Sequence, residues 1–363
     1  MDAAFQPGMA LAARYYAEVV WPLLNKYAPR LPHSAGLIGW GSEVLGLDSP
    51  RSTDHNWGPR CQIFLGPGDE DQAADITAML ADRLPEKFAG WPIRFPDATA
   101  RDPATRHWVE VAELGQWLTD HLGFDPRAGV SLLDWLATPT QVLAEVTSGA
   151  VFIDVLDAGA GGSAGGLHAA RAALAWYPDD VWRHVLACQW ARIGQEEAFP
   201  GRCEEAGDDI GSAVVAARLS RDLMRLAMLM LRRYPPYSKW LGSAFARLPG
   251  VSDVLQHSLA AALAARSWSD REQNLCAAYE AVAVMHNGLG LTPPVDGSVR
   301  PYYDRPYRVI DAGRFVASLR DSISVGAIRR LPLTGAADQF IDSTDAIGDL
   351  RLLRAVISVQ LGP

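Results

Sequence analysis

Between residues 38 and 65 the chain gathers groups able to hold a phosphorylated ligand and a divalent cation. Gly41 and Ser42 break an apolar run, Asp48, Asp54, His55 and Asn56 follow, and alternating apolar residues return at Cys61, Ile63 and Leu65. A tight turn of small residues lets backbone amides and a hydroxyl approach phosphate oxygens. A hard cation such as magnesium takes oxygen donors beside those phosphates. Acids two residues apart on an extended segment project to the same side, so Asp54 and position 56 are where a metal-binding pair would stand. Position 56 carries an amide, Asn56. Glu110, inside the stretch HWVEV, is a further carboxylate. Asp48 precedes Ser-Pro and is equally a turn former. His55 suits either acid–base chemistry or a structural hydrogen bond.

These groups need strands to place them. Residues 37–40 and 61–65 are expected as two strands, with one helical turn over 42–47 between them. Leu11, Tyr15, Val19, Leu23 and Tyr27 recur every fourth position, which predicts a helix over 9–27 ended by Pro29 and Pro32. Gly66-Pro67-Gly68 stops the second strand, and the acidic start of 69–84 suits a helix dipole. Strands are expected at 93–95, 107–111 and 151–155, with helices over 114–122 and 131–145. The run AGAGGSAGG at 158–166 is the sharpest composition shift in the chain. It lacks the GxxxxGK[ST] pattern of a phosphate loop and is expected as a linker or an ordered loop at a domain junction. Helical patterns then dominate: 167–176, 180–198, 212–234, 238–247, 251–265, 269–287, 312–324 and a last segment near the end. The fold class expected is α+β: a mixed sheet with helices over 1–157, then a helical domain over 158–363.

Composition narrows the partners. A chain of 363 residues with about half of them hydrophobic is globular and long enough for two cores. The formal net charge of −9 argues against nucleic acid as the main partner. The most apolar helical stretch, 213–231, is interrupted by Arg218, Arg221, Asp222 and Arg225, so it reads as a buried helix with one polar stripe and not as a membrane span. Four cysteines stand far apart with no C-x-x-C pair, and the N-terminus has no basic region before an apolar one. Both observations lead us to expect a cytoplasmic protein.

The string GSEVLGLDSPRSTDHNWGPR resembles the G-S-x(11)-D-x-[D/E] pattern of the polymerase β type nucleotidyltransferase superfamily, and is similar to a bacterial family of that fold with a domain of unknown function, DUF4037. The segments YPDDVWRHVLACQWARIGQEEAFPGRCEEAGDDIGS, YPPYSKWLGSAFARLP, HNGLGLT and RPYRVIDAGRF also resemble that family, so the likeness covers most of the chain. The resemblance implies that Gly41 and Ser42 contact nucleotide phosphates and that Asp54 is a metal ligand. Asn56 would replace the second metal carboxylate, and Glu110 would be the third acid, which orients or deprotonates the acceptor. The implied cofactor is Mg²⁺, or Mn²⁺ in its place, with ATP or another NTP as co-substrate and a small molecule as acceptor between the two domains. A homodimer fits the same resemblance. Because an amide brings no negative charge, Asn56 also admits an alternative: a degenerate fold that binds a ligand or performs a lyase or cyclase reaction.

In the helical part, Glu197 stands out as an acceptor-activating carboxylate, paired in expectation with Arg202, and Asp209 as a substrate-binding acid. The alternative is a solvated loop with Asp208 or Asp209 capping the next helix. Tyr237 begins a helix after Pro235-Pro236, and Lys239, one of three lysines in the chain, could contact the triphosphate or remain a surface residue beside Trp240.

Overall fold

The computed structural model describes residues 4–54, 56–96, 105–156 and 165–362. The chain forms two compact units: residues 1–134 with 142–175, and residues 135–141 with 176–363. The class is α+β.

The first unit opens with helix α1 (Gly8–Tyr15), a π-helical turn (Tyr16–Val20) and α2 (Trp21–Tyr27) as one continuous rod. Strands β1 (His33–Leu37), β2 (Cys61–Leu65), β3 (Val109–Glu113) and β4 (Ala150–Asp154) form a sheet in the order β3–β2–β1–β4. β1 is antiparallel to β2 and β4, whereas β2 and β3 are parallel. Every residue of β1 and β2 is buried, as central strands covered on both faces must be. On one face Ala35, Ile63, Leu65 and Val109 pack against Leu11, Tyr15, Val20 and Leu24, together with Ile76 and Leu80 of α3 (Glu70–Arg83). Each such buried aliphatic side chain contributes about 1.5–3 kcal/mol. On the other face Phe64 meets Trp117 of α4 (Leu114–Leu122) at 5.3 Å. The Glu113 carboxylate caps α4 by accepting from the amides of Gly115 and Gln116.

One expectation changes here. The first strand lies at His33–Leu37 and not at 37–40, because the small residues Ser34, Ala35 and Gly36 are what a doubly covered strand requires. A side chain at Gly36 would press on the carbonyl of Ala150 and on Leu167. The first compact unit runs on to residue 175, past the glycine-rich run, as α7 (Leu167–Ala173) packs on β4. Arg171 of α7 also donates to the carbonyls of Thr147 and Ser148. Helices α5 (Leu132–Ala137) and α6 (Thr140–Thr147) straddle the division. Residues 157–164, most of the glycine-rich run, lie outside the described residues.

The second unit is helical: α8 (Asp179–Glu196), α9 (Phe199–Glu205), α10 (Asp209–Met230), α11 (Ser238–Ala246), α12 (Asp253–Ala264), α13 (Trp268–Gly288) and α14 (Gly313–Asp321), then α15 (Gly326–Arg329), α16 (Ala337–Phe340), α17 (Thr344–Gly348) and α18 (Leu350–Leu361). Trp190 of α8 stacks on Phe315 of α14 at 4.1 Å and donates to His286 of α13. The stretch expected as a loop is largely the helix α9, with Pro200 in its first turn, where a missing N–H costs nothing. Asp208 caps α10 by accepting from the Gly211 amide. No helix among the described residues is long and apolar enough to cross a membrane.

Candidate functional site

Strand register sets the segments that carry the first unit's candidate residues at one end of the sheet. Gly36 of β1 lies opposite Gln62 of β2, Gln62 lies opposite Glu110 of β3, and Leu37 lies opposite Ala150 of β4. The exit of β1 and the entries of β2, β3 and β4 therefore share one edge. From it emerge the turn after Trp40, the 3₁₀ helix Pro50–Asp54 and the segment entering β2. Gln62 fixes the exit of β1 by accepting from the Ile38 amide (3.0 Å) and donating to the Ile38 carbonyl (2.9 Å).

The turn itself is built around a buried ion pair. Arg60 Nε lies 2.7 Å from Glu43 Oε1, with the two side chains 5% and 2% exposed. Arg60 Nη2 donates to the Trp40 carbonyl, and the guanidinium stacks 4.0 Å from the Trp40 ring. Gly41 has φ +131°, and a Cβ there would fall inside contact distance of Arg60 Nη2, so both backbone and space demand glycine. Trp40 is itself half exposed and meets Trp108 at 6.0 Å, while Trp108 stacks on Phe95 at 3.9 Å. Arg60, Glu43, Trp40 and Trp108 escape a motif search. Their only sequence signal is two opposite charges and two tryptophans flanking the glycine-serine and HWVEV segments.

The motif residues take distinct places. Ser42 starts the turn, its carbonyl accepting from the Leu47 amide at 2.8 Å. Asp48 accepts from the Gly8 amide (2.7 Å) and the Trp57 indole (3.1 Å), tying α1 to the turn. Asp54 closes the 3₁₀ helix, its side chain about half exposed and 3.8 Å from Arg51 Nε. Asn56 is exposed with φ +52°, a left-handed conformation that asparagine tolerates better than most residues. With Asp54 ending a 3₁₀ helix, these two positions do not lie on the extended segment expected, and the same-side projection of an extended pair does not apply to them. Glu110 is exposed on β3, beside Gln62. His55 lies outside the described residues. Among the described residues no three or more His, Cys, Asp or Glu side chains stand together as a metal site. The available donors, the Asp54 carboxylate and the Asn56 amide oxygen, are hard oxygens of the kind magnesium takes when substrate phosphates complete its shell.

In the second unit, Glu197 at the end of α8 accepts from the amides of Asp311 (2.9 Å) and Ala312 (3.0 Å), which lead into α14. Burial pushes its carboxyl up to about 7, against the opposing pull of those backbone donors. It pairs with that backbone and not with Arg202, whose guanidinium lies exposed, 5.7 Å from the Phe199 ring. Asp209 receives Arg271 Nη1 at 2.9 Å; Arg271 is buried and also reaches Ser212, so Asp209 joins α10 to α13. The Tyr237 amide donates to Gln141 at 2.9 Å as α11 begins, and Lys239 lies exposed with its ammonium 4.9 Å from the Trp240 ring.

Residues 135–241 match DUF4037, a domain of unknown function. No curated protein and no solved structure matches the chain. The DUF4037 segment carries Glu197, Arg202, Asp209, Tyr237 and Lys239 and stops short of the sheet-edge turn, which lies upstream of it. Its two ends meet in the second unit: the Thr140 hydroxyl lies 2.7 Å from the Pro235 carbonyl, and Gln141 holds Tyr237. That junction explains why residues 135–141 pack with the helices that follow them much later in the chain.

Proposed function

We propose that this protein is a magnesium-dependent nucleotidyltransferase that moves a nucleoside monophosphate from ATP or another NTP to a small-molecule acceptor. The observation carrying the proposal is the strand register. The exit of β1, which leads to Gly41 and Ser42, the entry of β2, which follows Asp54 and Asn56, and the entry of β3, which holds Glu110, lie at one end of a mixed sheet, and this supports the reading. In this reading the Ser42 hydroxyl and the backbone of the Gly41 turn receive phosphate oxygens. The half-exposed Trp40 ring, already stacked on Arg60, offers an aromatic face to the base. Asp54 and Asn56 would hold the cation, whose contribution is to neutralise phosphate charge. Glu110, exposed beside the same edge, accepts the proton of the acceptor hydroxyl as general base.

A second reading, a ligand-binding module without transfer, is favoured by two particular observations. Asn56 supplies no charge, and Arg60 with Glu43 fills the space behind Gly41 with the protein's own ion pair. Pyrophosphate release separates the two. Transfer requires release from Mg-NTP in the presence of a suitable acceptor, lost in Asp54→Asn and raised in Asn56→Asp. Nucleotide binding with no pyrophosphate from any of the four NTPs, in either the natural chain or Asn56→Asp, would leave the binding-module reading standing alone.

A further inference from the structure

The helical unit encloses a polar pocket of about 240 Å³ that none of the motif residues except Tyr237 touches. Arg218, Arg221 and Arg225 of α10 lie three and four residues apart and so share one face, and Arg192 of α8 joins them in the lining. Across from them stand Tyr237 and Ser238 at the start of α11, and residues 338–342 at and beyond α16. The arginine stripe that interrupts the apolar sequence of α10 thus faces a cavity.

Its charges are mixed. Asp222 and Asp338, 2% and 4% exposed in their side chains, hold Arg192 (3.2 Å) and Arg225 (2.7 Å). These inner guanidinium groups are themselves only 17% and 13% exposed. The outer pair is more open: Arg218, 50% exposed, reaches Glu196, and Arg221, 31% exposed, reaches Asp342, itself 73% exposed. Arg221 Nε lies 3.8 Å from Asp222 Oδ1, whereas the buried Asp338 Oδ1 has no hydrogen-bond partner. A buried polar atom left unsatisfied is costly, and this acceptor belongs to a residue lining the cavity.

We infer that this pocket binds a small zwitterion, a molecule carrying one carboxylate and one ammonium, of which an α-amino acid is the simplest form. The carboxylate is taken by Arg218 and Arg221, whose planar forks suit it, with the Ser238 hydroxyl and the positive end of α11 on the same pocket wall. The ammonium is taken by the acidic side, where Asp338 keeps an unused oxygen. Size and charge exclude the alternatives. A cavity of this volume lies below the range that holds drug-sized ligands. A polyphosphate would face Asp222, Asp338 and Asp342, and a polyamine would face four guanidinium groups. The site belongs to the helical unit and stands whether or not the sheet edge transfers a nucleotide.

The test is calorimetry and thermal shift on the full chain with five kinds of probe: the twenty amino acids singly, inorganic phosphate, metal-free ATP, acetate and methylamine. At least one amino acid should bind saturably and raise Tm, with acetate and methylamine far weaker. Arg221→Gln should weaken that binding by at least ~10-fold. Asp342→Asn, at an exposed position that the fold does not need, should tighten it by freeing Arg221. Binding of phosphate or ATP alone would make this a simple anion site and overturn the proposal. So would the absence of any amino acid response, or unchanged affinity in a folded Arg221→Gln protein.

Discussion

Glu43→Leu, Arg60→Met and the double substitution test how the sheet-edge turn is held. The pair is 5% and 2% exposed at 2.7 Å, so removing Glu43 leaves a buried guanidinium without its counter-charge, at about 3–5 kcal/mol. Removing Arg60 also forfeits its stacking on Trp40 at 4.0 Å, a further ~0.5–2 kcal/mol, which makes roughly 4–7 kcal/mol in all. A domain of this size has only about 5–15 kcal/mol of net stability, so Arg60→Met should bring the first unit close to unfolding at room temperature. The double substitution replaces both charges with apolar groups of similar length. Its losses are the hydrogen bond from Arg60 to the Trp40 carbonyl and the stacking on Trp40, with no buried charge left unpaired, so it should be milder than Arg60→Met. Urea unfolding followed by tryptophan fluorescence reads all three, since Trp40 itself reports on the guanidinium. The summed single effects should exceed the double by about 3 kcal/mol or more. Single effects that add to the double within ~0.5 kcal/mol would refute the coupling and with it this account of the turn.

Glu197 should give the second unit a pH-dependent stability. Its folded carboxyl sits near 7 against an ordinary 4.5, so the native state holds a proton that the unfolded chain releases. The stability is then fully present below about pH 4.5, falls as pH rises toward 7, and is flat beyond. The fall is about 3 kcal/mol at most, and Glu197→Gln should abolish it in urea midpoints compared between pH 4.5 and 8. Gly149→Ala combines φ +73° with a Cβ pressed against the Leu37 carbonyl. It should cost roughly 2–5 kcal/mol from left-handed strain and overpacking, and a Tm within 2 °C of the natural chain would contradict that geometry.

Much of the architecture is legible in the sequence. The helix over 114–122 and the strand over 61–65 are where their patterns placed them, because each pattern is local: an amphipathic helical repeat in one and a short, mostly apolar run in the other. Features fixed by long-range packing were not readable. Ser34, Ala35 and Gly36 look like a turn, yet they form a central strand, where the Ala150 carbonyl and Leu167, far along the chain, press on the side of Gly36 that carries no side chain. The π-helical turn Tyr16–Val20 keeps an apolar spacing close enough to α-helical to be invisible. At the site, Asp48 as a hub for Gly8 and Trp57, and Glu43 bound to Arg60, depend on pairings that no spacing encodes. The arginine stripe of α10 was legible as a polar face. The residues at 338–342 that make it one wall of a pocket were not, since over a hundred positions separate them from it.

The central claim is that the sheet edge around Gly41, Asp54 and Glu110 binds a nucleotide with a divalent cation. Isothermal titration of Mg-ATP, and of the other three NTPs, into the full chain and into Asp54→Asn tests it most directly. Asp54 is exposed, so its substitution should leave the fold intact. The expected result is saturable, cation-dependent binding of at least one nucleotide, weakened ~10-fold or more in Asp54→Asn. Binding should be accompanied by stabilisation of about 2.7 kcal/mol when ligand stands at 100 times Kd. No binding heat and no stabilisation with any of the four nucleotides, in Mg²⁺ or in Mn²⁺, would contradict it.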